Sequence, residues 1–328
     1  MEKADITGKD TTVVIRKRRA DYVRRFGSLA ILLLLSSVMC VLSPYFLSTG
    51  NIMNIIRQCS VIGLLGIGMT FVILTGGIDL SVGSVVAFSG CLVAQMARKG
   101  FPVPVVLLIT ALLGVGFGAI SGTLITRARI PPFIVTLGMM YAVRGAALTM
   151  TGGAPITGLP PFYRVLGSMN IGPVPLIAVI WLCTGLLGYI LLDHTKLGRH
   201  IYAAGGNQEA ARFSGINVEA ITTLTYILCG VCTCIAGLIT VARLDSAQPV
   251  VGMGYELLGI AAVIVGGTSF FGGEGGIGGT LIGTLVFGVL QNGMNLLNVN
   301  TYTQQIVTGL VIVAVVFLDV QTRRGRRF

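Results

Sequence analysis

The sequence has few charged residues for its length. Asp, Glu, Lys and Arg make up 11% of the 328 residues, whereas hydrophobic residues make up 54% and the mean hydropathy is +0.87. An ordinary soluble domain carries about 25% charged residues, so the composition excludes that class. Apolar runs of about 20 residues recur along the chain, which is the length that a helix needs to cross a bilayer.

The chain also lacks the motifs of nucleotide chemistry. No Gly-x-x-x-x-Gly-Lys-Ser/Thr loop occurs, so there is no cradle for ATP phosphates. Gly273, Gly275 and Gly278 do form a Gly-x-Gly-x-x-Gly, but they join two apolar runs rather than a strand and a soluble helix. We expect no cofactor on this chain. If ATP drives its activity, ATP and Mg²⁺ belong to a partner subunit.

Catalytic and metal-binding side chains are scarce as well. The two histidines, His194 and His200, fall in one polar loop with no paired carboxylates or nucleophile motif beside them. Cys229, Cys232 and Cys234 lie in an apolar run without a nearby histidine, which favours packing over zinc binding. We therefore predict neither catalytic residues nor a metal site.

The apolar runs predict an all-α, polytopic membrane protein with about ten transmembrane helices. The transmembrane domain covers residues 26–320, between a basic segment at 1–25 and a basic tail at 321–328. The predicted spans are 26–46, 52–75, 80–97, 103–126, 133–151, 174–192, 221–241, 255–271, 277–297 and 303–319.

The distribution of basic residues predicts the orientation, because Lys and Arg are retained on the cytoplasmic side. Eight of them lie in residues 1–25 and four in the tail, which places both termini in the cytoplasm and requires an even number of crossings. The net charge of +11 is thus a topology signal. Its clusters adjoin apolar runs and lack interleaved aromatics, so we expect a lipid bilayer as the partner and no nucleic acid.

A polar, glycine-rich break at residues 75–84 carries one carboxylate, Asp79. A charged group at membrane depth is costly and usually functional. Asp79 could cap the next helix by accepting hydrogen bonds from the amides near Ser81 and Val82, it could line a translocation pathway, or it could do both. Asp79 and Ser81 are therefore pathway candidates.

A second glycine-rich break, at residues 266–276, resembles the first, and paired breaks of this kind point to the centre of a transporter. Amides near the outer end of the ninth span add further candidates, because neutral amides suit the hydroxyls of a sugar. These candidates are Gln291, Asn292 and Asn295. The alternative is that amides near the headgroups bind no ligand at all.

The longest predicted cytoplasmic loop, residues 193–220, contains a short helix. Asn207 is a suitable N-cap, Glu209 favours the positive helix end, and Gly215 is placed to end the helix. So short a helix is marginal alone, which favours docking into a partner groove. The docking candidates are Asn207, Glu209, Ala210, Ala211, Arg212, Phe213 and Gly215.

Several long motifs resemble the permease subunits of bacterial ABC importers for ribose and related simple sugars, from about residue 26 onward. They are GGIDLSVG at 76–83, PFIVTLG at 132–138, the segment 206–216, ARLDSAQP at 242–249 and GYEL at 254–257.

The resemblance implies a multi-pass protein of the bacterial inner membrane that transports a monosaccharide and is not an enzyme. It implies an ATPase subunit with tandem domains, a periplasmic sugar-binding protein and a second permease copy, either identical or a paralogue. It also implies that the short helix couples to the ATPase. Two other functions remain open from the residues alone: an ion-driven secondary transporter using Asp79 and Glu256, and a membrane-embedded enzyme.

Overall fold

The computed structural model describes residues 27–324, with side chains through Phe317, and most of this range is helical. The prediction of an all-α membrane protein is confirmed. Within the described range the first helices are α1 (Gly27–Leu42), α2 (Thr49–Leu74), α3 (Val82–Arg98), α4 (Val103–Thr126), α5 (Pro132–Thr151) and α6 (Pro161–Ser168). The hairpin β1 (Asn170–Ile171) and β2 (Val174–Pro175) follows. The remaining helices are α7 (Leu176–His194), α8 (Lys196–Gly206), α9 (Gln208–Phe213), α10 (Val218–Leu244), α11 (Tyr255–Val265), α12 (Ile277–Leu296) and α13 (Thr301–Arg324).

Each of the ten predicted spans overlaps one helix. Among the described residues, six helices are long and apolar enough to cross a membrane, namely α2, α4, α5, α7, α10 and α12. Four shorter apolar helices, α1, α3, α11 and α13, account for the other predicted spans. The number of crossings and the cytoplasmic position of the termini stay predictions. Residues 1–26 and 325–328, which include most of the basic segments, lie outside the described residues.

The centre of the fold consists of α2 and α10. Most side chains of both helices are buried, whereas most side chains of α4, α5 and α7 are partly or fully exposed, so these helices form the apolar periphery. Small residues allow the helices to approach closely, as the recurring glycines predict. A Cβ atom added at Gly114 or Gly122 would lie 2.7 Å from the backbone of α10. This tight contact fixes α4 against the centre.

Three local features depart from the sequence prediction. Helix α1 ends at Leu42 rather than at residue 46, because Pro44 disfavours the helical conformation of the residue before it. Helix α11 ends at Val265 rather than at 271, since Gly267 adopts a left-handed φ of 88° and turns the chain. Helices α6 and α8 and the β1–β2 hairpin were not predicted. Helix α6 lies between spans, α8 lies in the predicted loop 193–220, and β2 takes the first two residues of the predicted span 174–192.

Candidate functional site

The short helix α9 has the boundaries that its sequence predicts. Asn207 is extended, with a φ of −157°, and its side-chain oxygen accepts a hydrogen bond of 3.0 Å from the amide of Ala210. At the other end Gly215 adopts a φ of 80°, and the amide of Ile216 donates to the carbonyl of Ala211 at 3.0 Å. This is a Schellman ending, which needs glycine at the left-handed position. Both capping predictions are confirmed.

The two faces of α9 differ in what they contact. Ala211 is 4% exposed and packs into the core of this chain, so it seats the helix and is not free to contact a partner as the sequence suggested. Phe213 is 92% exposed and thus projects away from the chain. Arg212 forms a 2.6 Å ion pair with Glu219 on α10, which ties the helix to the membrane domain. The outward face also carries the predicted residues Asn207, Glu209, Ala210 and Gly215, all exposed.

The two glycine-rich breaks meet each other and the end of α8. The amide of Gly273 donates to the carbonyl of Leu74, the last residue of α2, at 2.9 Å. A Cβ atom at Gly205 would overlap that carbonyl, and one at Gly272 would lie 2.9 Å from the amide of Gly76. Only glycine permits backbones this close. We call this contact of Leu74, Gly76, Gly205, Gly206, Gly272 and Gly273 the glycine junction.

A tyrosine hydrogen bond reinforces the glycine junction. The hydroxyl of Tyr202 on α8 donates to the carbonyl of Gly275 at 2.8 Å. Burial, together with the carboxylate of Asp193, raises the pKa of Tyr202 to about 12, so the hydroxyl remains a donor even in alkaline solution. Helix α8 is thereby fixed to the second break immediately before α9 begins.

Asp79 is buried between α2 and α3, where it also interacts with the thiol of Cys229 on α10. Its Oδ1 atom accepts hydrogen bonds from the amide of Ser81 at 2.9 Å and from the Ser81 hydroxyl at 2.6 Å. The next residue, Val82, begins α3. The geometry matches the capping role considered for Asp79, although the amide of Val82 takes no part. Glu256, the other carboxylate considered for ion coupling, accepts from the amide of Gly254 at 3.1 Å. The role of Asp79 and Ser81 in a pathway stays a prediction.

The predicted amides near the outer end of α12 separate into two groups. Asn292 is buried and exchanges two hydrogen bonds with Asn51 of α2, at 2.8 and 3.0 Å, so it joins two helices. Gln291 is partly buried beside it. Asn295 is exposed, and its oxygen accepts from Gln304 of α13 at 2.8 Å. Of these three amides, Asn295 is the one that lines the two cavities described below.

Two cavities open at this same end of the helices. One of about 460 Å³ lies between α2, α6, α10 and α12, and we call it the outer cavity. Another of about 610 Å³ adjoins it and shares Asn295. The outer cavity was not predicted, because Arg57 falls within an apolar run and Arg243 lies at the end of another. It is lined by Asn54, Arg57, Gln58, Gly167, Ser168, Arg243, Leu244 and Asn295.

The chain is similar to membrane components of bacterial import systems. The family described as "Branched-chain amino acid transport system / permease component" matches residues 51–316. The ribose import permease protein RbsC of Escherichia coli is 45% identical over 296 residues, 89% of this chain and 92% of that protein. RbsC of Bacillus subtilis is 44% identical, over 90% of this chain and 93% of that protein. The D-allose transport system permease protein AlsC of Escherichia coli is 40% identical, over 90% and 91% respectively. No solved structure matches.

Proposed function

The chain belongs to the family of permease components of ABC importers, and we propose that it carries ribose or a closely related monosaccharide across the bacterial inner membrane. It is a multi-pass transport subunit and not an enzyme. The observation that carries the choice of cargo is the 45% identity to a ribose permease over 89% of the chain. Identity to permeases named for allose and xylose is lower, at 40% and 34%.

An importer of this family works with an ATPase subunit and a periplasmic binding protein, and we place the ATPase contact at α9. Phe213 supplies an exposed aromatic anchor, and anchors of this kind dominate binding when they enter a partner's pocket. The capped ends and the Arg212–Glu219 ion pair hold the helix in place before binding. A rigid helix loses less conformational entropy on docking than a flexible loop. We further propose that the ATPase carries tandem domains, which bind the ATP and Mg²⁺.

The glycine junction supports a route from the ATPase to the membrane helices. A movement of α9 is passed to α8, whose end contacts the end of α2 and the 266–276 break by direct backbone contact. Flexible side chains would absorb part of such a movement, whereas backbones in contact transmit it. The two breaks are therefore proposed as the elements that open or close the pathway on the cytoplasmic side.

A second copy of the permease completes the pathway in our proposal. The centre of this chain is filled by large apolar side chains of α2, of which Leu64, Leu65 and Met69 are fully buried. They occupy the space that a sugar would need to pass through one copy. A passage between two copies avoids this obstacle, and either an identical chain or a paralogue could supply the second half.

ATP hydrolysis tests this function. The permease and its ATPase subunit are reconstituted together in lipid nanodiscs, and the binding protein is added with or without ribose. We expect ribose-loaded binding protein to stimulate hydrolysis well above the rate with sugar-free binding protein. Equal rates with ribose, allose, xylose and no sugar would contradict the proposed cargo.

A further inference from the structure

We propose that the outer cavity is a binding site for a neutral monosaccharide that has left the binding protein and has not yet entered the membrane pathway. The inference rests on the proposed function, which it extends by naming residues that meet the sugar. The cavity lies at the ends of α2, α10 and α12 that are predicted to face the periplasm. Its volume of about 460 Å³ falls in the range of small-molecule pockets, roughly 300–1,000 Å³.

The wall of the outer cavity is built by a close helix contact. A Cβ atom at Gly167 of α6 would overlap the carbonyl of Ala242 on α10, so the two backbones touch. This contact places Ser168 and Arg243 on neighbouring positions of the wall. The opposite wall is the first turns of α2, which supply Asn54, Arg57 and Gln58.

Arg57 provides a donor that lacks a partner within the described chain. Its Nη2 atom donates to the side-chain oxygen of Asn170 at 3.1 Å, which fixes the guanidinium. Its Nε atom is buried and makes no hydrogen bond to any described residue. Because this atom is closed off from solvent, the donors that Arg57 offers to a ligand are those of its guanidinium that line the cavity. Arg243, across the cavity, has no carboxylate among the lining residues to pair with.

The amides of the cavity favour a neutral, hydroxyl-rich ligand over an anion. Asn54 and Gln58 each present a carbonyl oxygen as well as an amino group. A sugar hydroxyl both donates and accepts, so it can satisfy amides and guanidiniums together. An anion would be attracted by the two arginines, but it offers fewer hydrogens to the amide oxygens than a sugar, each of whose hydroxyls can donate.

Protection from chemical labelling tests the site without relying on transport. In a background without cysteines, Asn54→Cys is placed at the exposed edge of the cavity, in the complex of permease and ATPase without binding protein. We expect millimolar ribose to slow its reaction with a membrane-impermeant methanethiosulfonate reagent. Adding Arg57→Met should raise the half-protecting concentration about tenfold, the loss expected for one hydrogen bond to a charged group.

Two controls use outer residues that lie away from the cavity. Lys99→Cys, after the end of α3, should react at the same rate with and without ribose, and Arg98→Met should leave protection at Asn54→Cys unchanged. Unchanged labelling of Asn54→Cys at saturating ribose would overturn the inference, as would protection by inorganic phosphate in place of ribose. If ribose-loaded binding protein still stimulates hydrolysis in that complex, the proposed function stands and the cavity assignment alone fails.

Discussion

Truncation of Phe213 on α9 tests the contact with the ATPase at a single side chain. Phe213 is 92% exposed, so Phe213→Ala removes few contacts within this chain and should change its own stability by less than ~0.5 kcal/mol. Full burial of a Phe side chain contributes about 1.5–3 kcal/mol. If the ring enters a groove of the ATPase, its loss should weaken association by a factor of about 10 to 150.

The assay is titration of the purified ATPase subunit onto permease in nanodiscs, followed by sugar uptake in proteoliposomes. Phe162→Ala is the matched control, because Phe162 is an exposed aromatic on α6 at the opposite end of the helices. We expect the control to keep both affinity and uptake. Unchanged affinity in Phe213→Ala, with normal uptake, would show that the ATPase contacts the permease elsewhere.

Three further predictions concern the breaks and the topology. Asp79→Asn keeps an acceptor for the buried donors that Asp79 satisfies, so uptake of radiolabelled sugar should persist. Asp79→Leu leaves these donors without an acceptor, which costs about 1–3 kcal/mol of stability for each and should lower the amount of folded permease. Loss of uptake in Asp79→Asn with normal abundance would show that the charge itself is needed. Gly205→Ala should lower uptake roughly tenfold while ATP hydrolysis continues, because overpacking by one methyl group separates α8 from α2. The control is Gly206→Ala, whose added atom meets nothing within 4 Å and which should behave as wild type. Equal uptake in the two variants would show that the glycine junction is not part of the coupling route. A cysteine at Gly158 should be labelled from outside intact cells and one at Arg326 should be shielded; external labelling at Arg326 would contradict the ten-span topology.

Local sequence signals predicted much of the fold. Apolar length located a helix for every predicted span, and the side chain of Asn207 together with the glycine at 215 fixed both ends of α9. These signals act within a few residues, so composition and capping rules can read them directly. The end of α11 was missed because Phe270 and Phe271 continue the apolar run past the glycine pair that stops the helix.

The candidate site was less predictable, because its contacts join residues far apart in the chain. Asn292 was predicted to contact the sugar because of its position on α12. Its hydrogen-bond partner is instead Asn51, which lies 241 residues away in sequence. Ala211 was predicted to contact a partner, but its side chain faces the core of this chain and is buried. The outer cavity needs four helices together, so neither Arg57 nor Arg243 could be assigned to it from its neighbours in sequence.

The energy source of transport is the most direct test of a permease that depends on a separate ATPase. Proteoliposomes holding the permease and its ATPase receive ribose-loaded binding protein on the outer side and ATP within, with no ion gradient. We expect labelled ribose to accumulate inside, and accumulation to stop when ATP is omitted or the ATPase is left out. Accumulation by the permease alone, driven by a proton or Na⁺ gradient, would contradict this expectation.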